Sequence, residues 1–211
     1  MEERFIHVQR TARYHLLGDP RNAKAIWIVV HGYGQLARFF LNNFEGLEDD
    51  LCLVAPEGLS RFYLDPEHQR VGATWMTRED RLHEIEDHVA YLDRLVDLLL
   101  QQRSAPIAIN ALGFSQGVAT VARWAIKGKT RFDRLVFWAG SLPPELDRGS
   151  LIKWKATQVD LVLGDRDQYQ QENDLKAASQ KLTSVGVVNR THFFKGAHAL
   201  DKMLLGKLIA G

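Results

Sequence analysis

Apolar residues along this chain fall into two rhythms. Short continuous apolar runs, Ala25-Ile-Trp-Ile-Val-Val30 the clearest, read as strands covered on both faces of a parallel sheet. Further runs at Leu51–Ala55, Ile107–Leu112, Leu135–Ala139, Val159–Leu163 and Val187–Phe193 read the same way. Near the N-terminus, Phe5–Arg10 and Arg13–Leu17 alternate like a hairpin pair, bringing the expected strands to eight. Between the runs the period changes. Over residues 80–100, Leu82, Ile85, Val89, Leu92, Val96 and Leu99 recur at spacings of three and four, one helical stripe with Glu, Asp and Arg between. Weaker helical patterns cover 36–48, 116–127, 170–185 and 199–209.

Strands alternating with helices predict an α/β fold, a three-layer α/β/α sandwich around a mostly parallel sheet of about eight strands. A length of 211 residues fits one domain spanning 1–211, with no repeat, low-complexity tract or linker to divide it. Residues 57–79 follow neither rhythm. An irregular segment of that length is functional or mobile, and its aromatics predict a pocket wall or lid.

Composition narrows the function. A net charge of +1, with no Lys/Arg-rich run, argues against a nucleic-acid partner. The charged start, Met1-Glu-Glu-Arg4, lacks a signal-peptide core, and no apolar stretch approaches the ~18 residues of a membrane span. The sole cysteine, Cys52, sits in an apolar run, which excludes an intrachain disulfide and a thiolate metal cluster and predicts a small buried hydrophobe. A cytoplasmic protein is expected.

The chemistry starts at Gly113-Phe114-Ser115-Gln116-Gly117, between the fifth strand and a helix. G-x-S-x-G in that setting is a nucleophile elbow, a sharp turn that lifts a serine hydroxyl clear of the sheet. The glycines let strand and helix approach. A serine hydroxyl is a weak nucleophile and requires a base, an orienting acid and an oxyanion hole. After the third strand, His31-Gly32-Tyr33-Gly34 turns tightly enough to aim an amide inward, so the backbone N–H groups of Tyr33 and Gln116 are the expected oxyanion donors. His31 itself suits loop support. After the seventh strand, Asp165 and Asp167 both offer a carboxylate; the position past the glycine favours Asp167, leaving Asp165 as a turn residue. After the eighth, His198 follows Gly196 in a loop, whereas its competitor His192 lies within a strand pattern. The order Ser115, Asp167, His198 is the one this chemistry uses on such a sheet. Phe62, Tyr63, Trp75 and Met76 are expected either to line an apolar pocket or to pack residues 57–79 onto the body. His83-Glu-Ile-Glu-Asp-His88 lacks the four-residue histidine spacing of a zinc helix and is expected on a solvated face, so no metal is expected.

H-G-Y-G-Q, G-F-S-Q-G, G-D-R-D and G-A-H together resemble the phospholipase/carboxylesterase group of α/β-hydrolases, which includes small bacterial carboxylesterases and acyl-protein thioesterases. The resemblance spans the chain. It implies a cofactor-free hydrolase of small-molecule carboxylic esters or thioesters with Ser115, Asp167 and His198 as its triad. Two departures are Tyr33, where the thioesterases commonly carry Leu, and Gln35, where Asp is frequent. Small to medium acyl esters are the expected substrates. The alternatives are a thioesterase or lysophospholipase for long acyl chains, and a hydrolase-fold binding protein without turnover.

Overall fold

In a computed structural model that describes residues 1–209, the apolar runs line up as one seven-stranded sheet. The strands are β1 (Tyr14–Leu17), β2 (Ala25–Val30), β3 (Leu51–Pro56), β6 (Ala108–Phe114), β7 (Arg134–Trp138), β8 (Gln158–Gly164) and β9 (Asn189–Phe194). Their order is β1-β3-β2-β6-β7-β8-β9; all pairs are parallel except β1 with β3. The last two residues of the expected domain lie outside the described ones.

Alternation along the strands builds two cores. Ile26, Ile28, Val30, Cys52 and Val54 face one side, under α2 (Arg81–Leu100), α3 (Gln116–Lys127), the short α4 (Arg148–Leu151) and α5 (Glu172–Thr183). Trp27, Val29, Leu53, Ala55 and Trp138 face the other, under α1 (Ala37–Leu41) and α6 (Lys202–Ile209). A strand covered on both faces gains from apolar residues at every position, hence the unbroken runs. This is the α/β/α sandwich the sequence predicts. Cys52 is fully buried in it, and burial pushes its thiol up to about 11.

Four expectations are corrected. Phe5–Arg10 forms no strand: Phe5, Ile6 and Val8 stay exposed, and Phe5 rests on the His83 ring of α2. Arg13 is instead pinned, its guanidinium on the buried Glu57 carboxylate and its carbonyl accepting from Glu57 N–H, so the chain joins the sheet only beyond it. Residues 57–79 are not irregular. They hold an antiparallel hairpin of β4 (Ser60–Tyr63) and β5 (Val71–Thr74). Its turn is set by Asp65, whose carboxylate accepts the N–H groups of Gln69 and Arg70, a signal present in the sequence as Asp65-Pro66. On α2 the stripe begins one turn later than expected: Leu82 is exposed, whereas His88 is fully buried with Ile85, Val89 and Leu92. His88 stands edge-on to Trp75, and burial drops its pKa to about 4. The expected helix over 36–48 is α1 followed by a 3-10 turn at Asn42–Phe44.

From β2 the chain steps outward to β3 and then crosses back to β6 on the other side of β2. Such a reversal opens a crevice at the carboxyl ends of the two central strands, the usual ligand position in an open α/β sheet. His31-Gly-Tyr-Gly leaves β2 there, and the Ser115 turn leaves β6 beside it.

Candidate active site

Ser115 sits between β6 and α3 with φ 54° and ψ −116°, a conformation that strains a residue bearing a Cβ. The surroundings enforce it. Ser115 N–H donates to Trp138 O at 2.9 Å, fixing the turn to β7. A Cβ at Gly113 would overlap Gly117 O, and one at Gly117 would overlap Val30 O. Only glycines let α3 start this close to β6 and β2.

The loop after β2 runs directly alongside. A Cβ at Gly32 would lie 3.1 Å from the Ser115 Cβ. His31, fully buried, anchors this loop: its Nε2 accepts from Gly58 N–H at 3.0 Å and its Nδ1 donates to Gly32 O at 2.7 Å. That pairing requires the neutral ring, and burial holds its pKa below the ordinary value. His31 therefore supports the loop, as expected. Among the described residues, the N–H groups of Tyr33 and Gln116 find no acceptor, whereas Gly32 N–H donates to Gln35 Oε1 and Gly34 N–H to Ala73 O. The Gln116 amide follows Ser115 directly in the chain, and the Tyr33 amide follows Gly32, whose position packs on the Ser115 side chain.

His198 and Asp167 meet at the same end of the sheet. Asp167 Oδ2 lies 2.8 Å from His198 Nδ1, and Asp167 Oδ1 accepts from the amides of Tyr169 and Gln170. The carboxylate is fully buried and the imidazole nearly so. The ring is held between Phe114, at 5.0 Å, and Tyr169, edge-on at 4.8 Å. Phe114 directly precedes Ser115, so the ring contact ties the His198 loop to the end of β6. Tyr169 went unnoticed in the sequence; an aromatic two residues beyond the acid was the available signal. Asp165 accepts from Gly196 N–H at 2.9 Å and ties the two loops together, the turn role expected of it. His192 points elsewhere, its Nε2 on buried Asp160 at 2.7 Å, where Arg134 also binds.

The residues named for a pocket wall divide. Trp75 is 2% exposed and donates its indole N–H to His31 O, and the Met76 sulfur accepts from Arg123. Both take the packing alternative. Tyr63 is exposed and stacks on His68. Phe62, half-buried, packs against Tyr33 with ring centres 5.0 Å apart, at the rim of the loop beside Ser115.

A cleft of about 280 Å³ opens on the opposite side, lined by Leu142, Pro143, Leu161, Leu163, Leu175 and Ala178. Its wall includes Gly140, where a Cβ would overlap Ser115 O, and Gln170, whose amide binds Asp167. The sequence named none of these residues as a pocket, because they come from three separate segments. Among the described residues, no group of three or more His, Cys, Asp or Glu is placed to hold a metal ion, and no helix is long and apolar enough to cross a membrane.

The mostly parallel seven-stranded sheet with helices on both faces is the α/β-hydrolase fold. Solved structures agree on the fold. Esterase PE8 superposes with a TM-score of 0.71 at 22% identity, over 95% of this chain and 97% of that one. Acyl-protein thioesterase 2 of Zea mays gives 0.71 at 17% identity over the same shares, and the Bacillus cereus carboxylesterase 0.70 at 13% over 94% and 92%. These are the kinds of protein that the sequence motifs resemble. No protein-family model and no curated protein matches the chain.

Proposed function

We propose that this protein is a serine hydrolase that cleaves carboxylic esters through an acyl-enzyme. The reading is supported by the Asp167–His198 pair, together with a strained Ser115 turn against which the loop at Gly32 packs. In the first step Ser115 Oγ attacks the acyl carbon while its proton passes to His198 Nε2. Asp167 keeps the Nδ1–H tautomer in place and stabilises the imidazolium. The carbonyl oxygen becomes an oxyanion between the N–H groups of Tyr33 and Gln116, each donor contributing on the order of 3 kcal/mol. His198 then protonates the leaving alcohol. Water then attacks the acyl carbon while giving a proton to His198, and His198 returns that proton to Ser115 Oγ as the acyl C–Oγ bond breaks and the carboxylic acid leaves.

Substrate size follows from the cleft. Its volume of about 280 Å³ lies just under the ~300–1,000 Å³ of pockets that enclose drug-sized ligands. Its apolar side chains, Leu142, Pro143, Leu161, Leu163, Leu175 and Ala178, lie next to Gly140, which packs on the Ser115 carbonyl, and suit small to medium acyl chains. A thioesterase activity is the second reading, favoured by the structural likeness to an acyl-protein thioesterase.

A fluorophosphonate probe tests the nucleophile: the folded protein becomes labelled and Ser115→Ala does not. A folded wild type that resists the probe sinks the enzyme reading and leaves a binding protein. An acyl series from acetate to palmitate, on oxygen esters and thioesters, then separates the two substrate readings. A maximum at short to medium oxygen esters is expected, and a maximum at palmitoyl thioester overturns it.

A further inference from the structure

The Gln116 side chain points back from the elbow onto the end of the β4–β5 hairpin. Its Oε1 accepts from Trp75 N–H at 3.2 Å and its Nε2 donates to Met76 O at 2.9 Å and to Thr74 Oγ1 at 2.9 Å. The backbone partners settle which end is oxygen: an N–H must meet the carbonyl oxygen, and a C=O must meet the amine. The side-chain amide therefore pairs with residues 74–76 much as a neighbouring strand would. Thr74 is 3% exposed, so these polar groups have little water to replace a lost partner.

One step back along the same edge of this strand, residue 73 grips the loop after β2. Gly34 N–H donates to Ala73 O at 2.9 Å, and Ala73 N–H donates to Gln35 O at 3.3 Å. Gly72 packs so closely on Gly34 that a Cβ there would sit 2.5 Å from Gly34 O. Trp75 adds its indole bond to His31 O. Residues 72–75 thus bridge the elbow and the loop, and Tyr33 lies inside the gripped stretch.

We propose that Gln116 is a positioning residue, whose side chain sets the Tyr33 amide through β5 while its own backbone amide supplies the second oxyanion donor. This rests on the acyl-transfer reading above and adds the device that holds the two donors at a fixed separation. It also assigns the hairpin a role: a strut for the oxyanion loop in place of a lid. A donor displaced by a fraction of an ångström stabilises the transition state less and the bound ester little differently, so the effect falls on kcat.

The experiment compares wild type with Gln116→Met, Gln116→Glu and Gly72→Ala on one short p-nitrophenyl ester, together with fluorophosphonate labelling rates. Gln116→Met, similar in size and without the hydrogen bonds, lowers kcat about 10- to 100-fold with KM changed less than about threefold. Gly72→Ala, which strikes the same strut from its far side, gives a similar loss, and the double variant loses little more than either alone. Gln116→Glu keeps the acceptor for Trp75 N–H but turns a carboxylate towards Met76 O. Its kcat relative to wild type therefore rises as pH falls and the carboxyl gains a proton to donate. That rise is the readout a merely structural role would not produce, and it decides the matter if Gln116→Met fails to fold. Wild-type kcat in Gln116→Met, or a flat ratio with pH in Gln116→Glu, overturns the proposal. Failure of the acyl-transfer reading looks different, since wild type itself would then resist the probe.

Discussion

Asp167 and His198 meet through a 2.8 Å contact between Oδ2 and Nδ1, the carboxylate fully buried and the ring 14% exposed. Asp167 can serve only as an acceptor there, because its second oxygen is occupied by the amides of Tyr169 and Gln170. Asp167→Asn keeps the shape but presents the wrong partner to Nδ1–H and favours the other imidazole tautomer. A fall in kcat of about 10⁴-fold is expected, as in other triads where geometry survives and the tautomer does not. Asp165→Asn retains an acceptor for Gly196 N–H and loses less than about tenfold. Kinetics on p-nitrophenyl acetate measure both, and the reverse ranking reassigns the acid.

Strain at Ser115 predicts a trade of stability for function. With φ at 54° and ψ at −116°, the residue occupies a region where a Cβ is costly and glycine is not. Ser115→Gly and Ser115→Ala both lose turnover. In urea titrations Ser115→Gly is the more stable of the two by about 1 kcal/mol, the relief of strain being partly offset by the greater freedom of unfolded glycine. Equal stabilities would mean that the elbow stores no strain.

Acyl-chain selectivity is expected to respond to α5. Ala178 lines the cleft between Leu161, Leu163 and Leu175. Ala178→Phe places a ring in that space, and kcat/KM for an octanoyl ester falls at least about tenfold relative to acetyl, the scale of a few lost methylene contacts. A parallel fall for both esters would place acyl recognition elsewhere.

Acid sensitivity is expected to come from His88. Its folded pKa of about 4 lies below the unfolded value of about 6.5, because burial penalises the charged ring. Between those values the unfolded chain binds the extra proton, so stability is present above pH ~6.5 and is lost as pH falls towards 4. The difference corresponds to about 3 kcal/mol. His31 titrates in the same direction. Urea midpoints measured from pH 7 downward test this: His88→Leu flattens the decline, and an unchanged slope would assign it to other groups.

Much of the site is legible in the amino-acid sequence. Gly113, Ser115 and Gly117 announce the elbow, because its backbone tolerates few other residues. Asp167 and His198 follow from chain order, since on a parallel sheet every such loop emerges at the same end. The hairpin at 60–74 escapes the pattern because its strands are short and half-exposed, so no apolar run marks them. Phe5–Arg10 errs the other way: its alternation is strand-like, but the segment pairs with no strand and its apolar residues Phe5, Ile6 and Val8 stay exposed.

Local pattern was enough to determine the sandwich and the sharp turn at Ser115, because period and backbone tolerance are properties of neighbours in the chain. Tertiary structure decided the rest. It turned His88 inward and sent His192 to Asp160, because burial and pairing depend on what lies across the sheet. It assembled the cleft at Gly140, Leu161 and Leu175 from three segments of the chain. It also joined Gln116 to β5 and β5 to the loop bearing Tyr33, contacts between residues some forty positions apart. No window along the sequence records a hydrogen bond made at that separation.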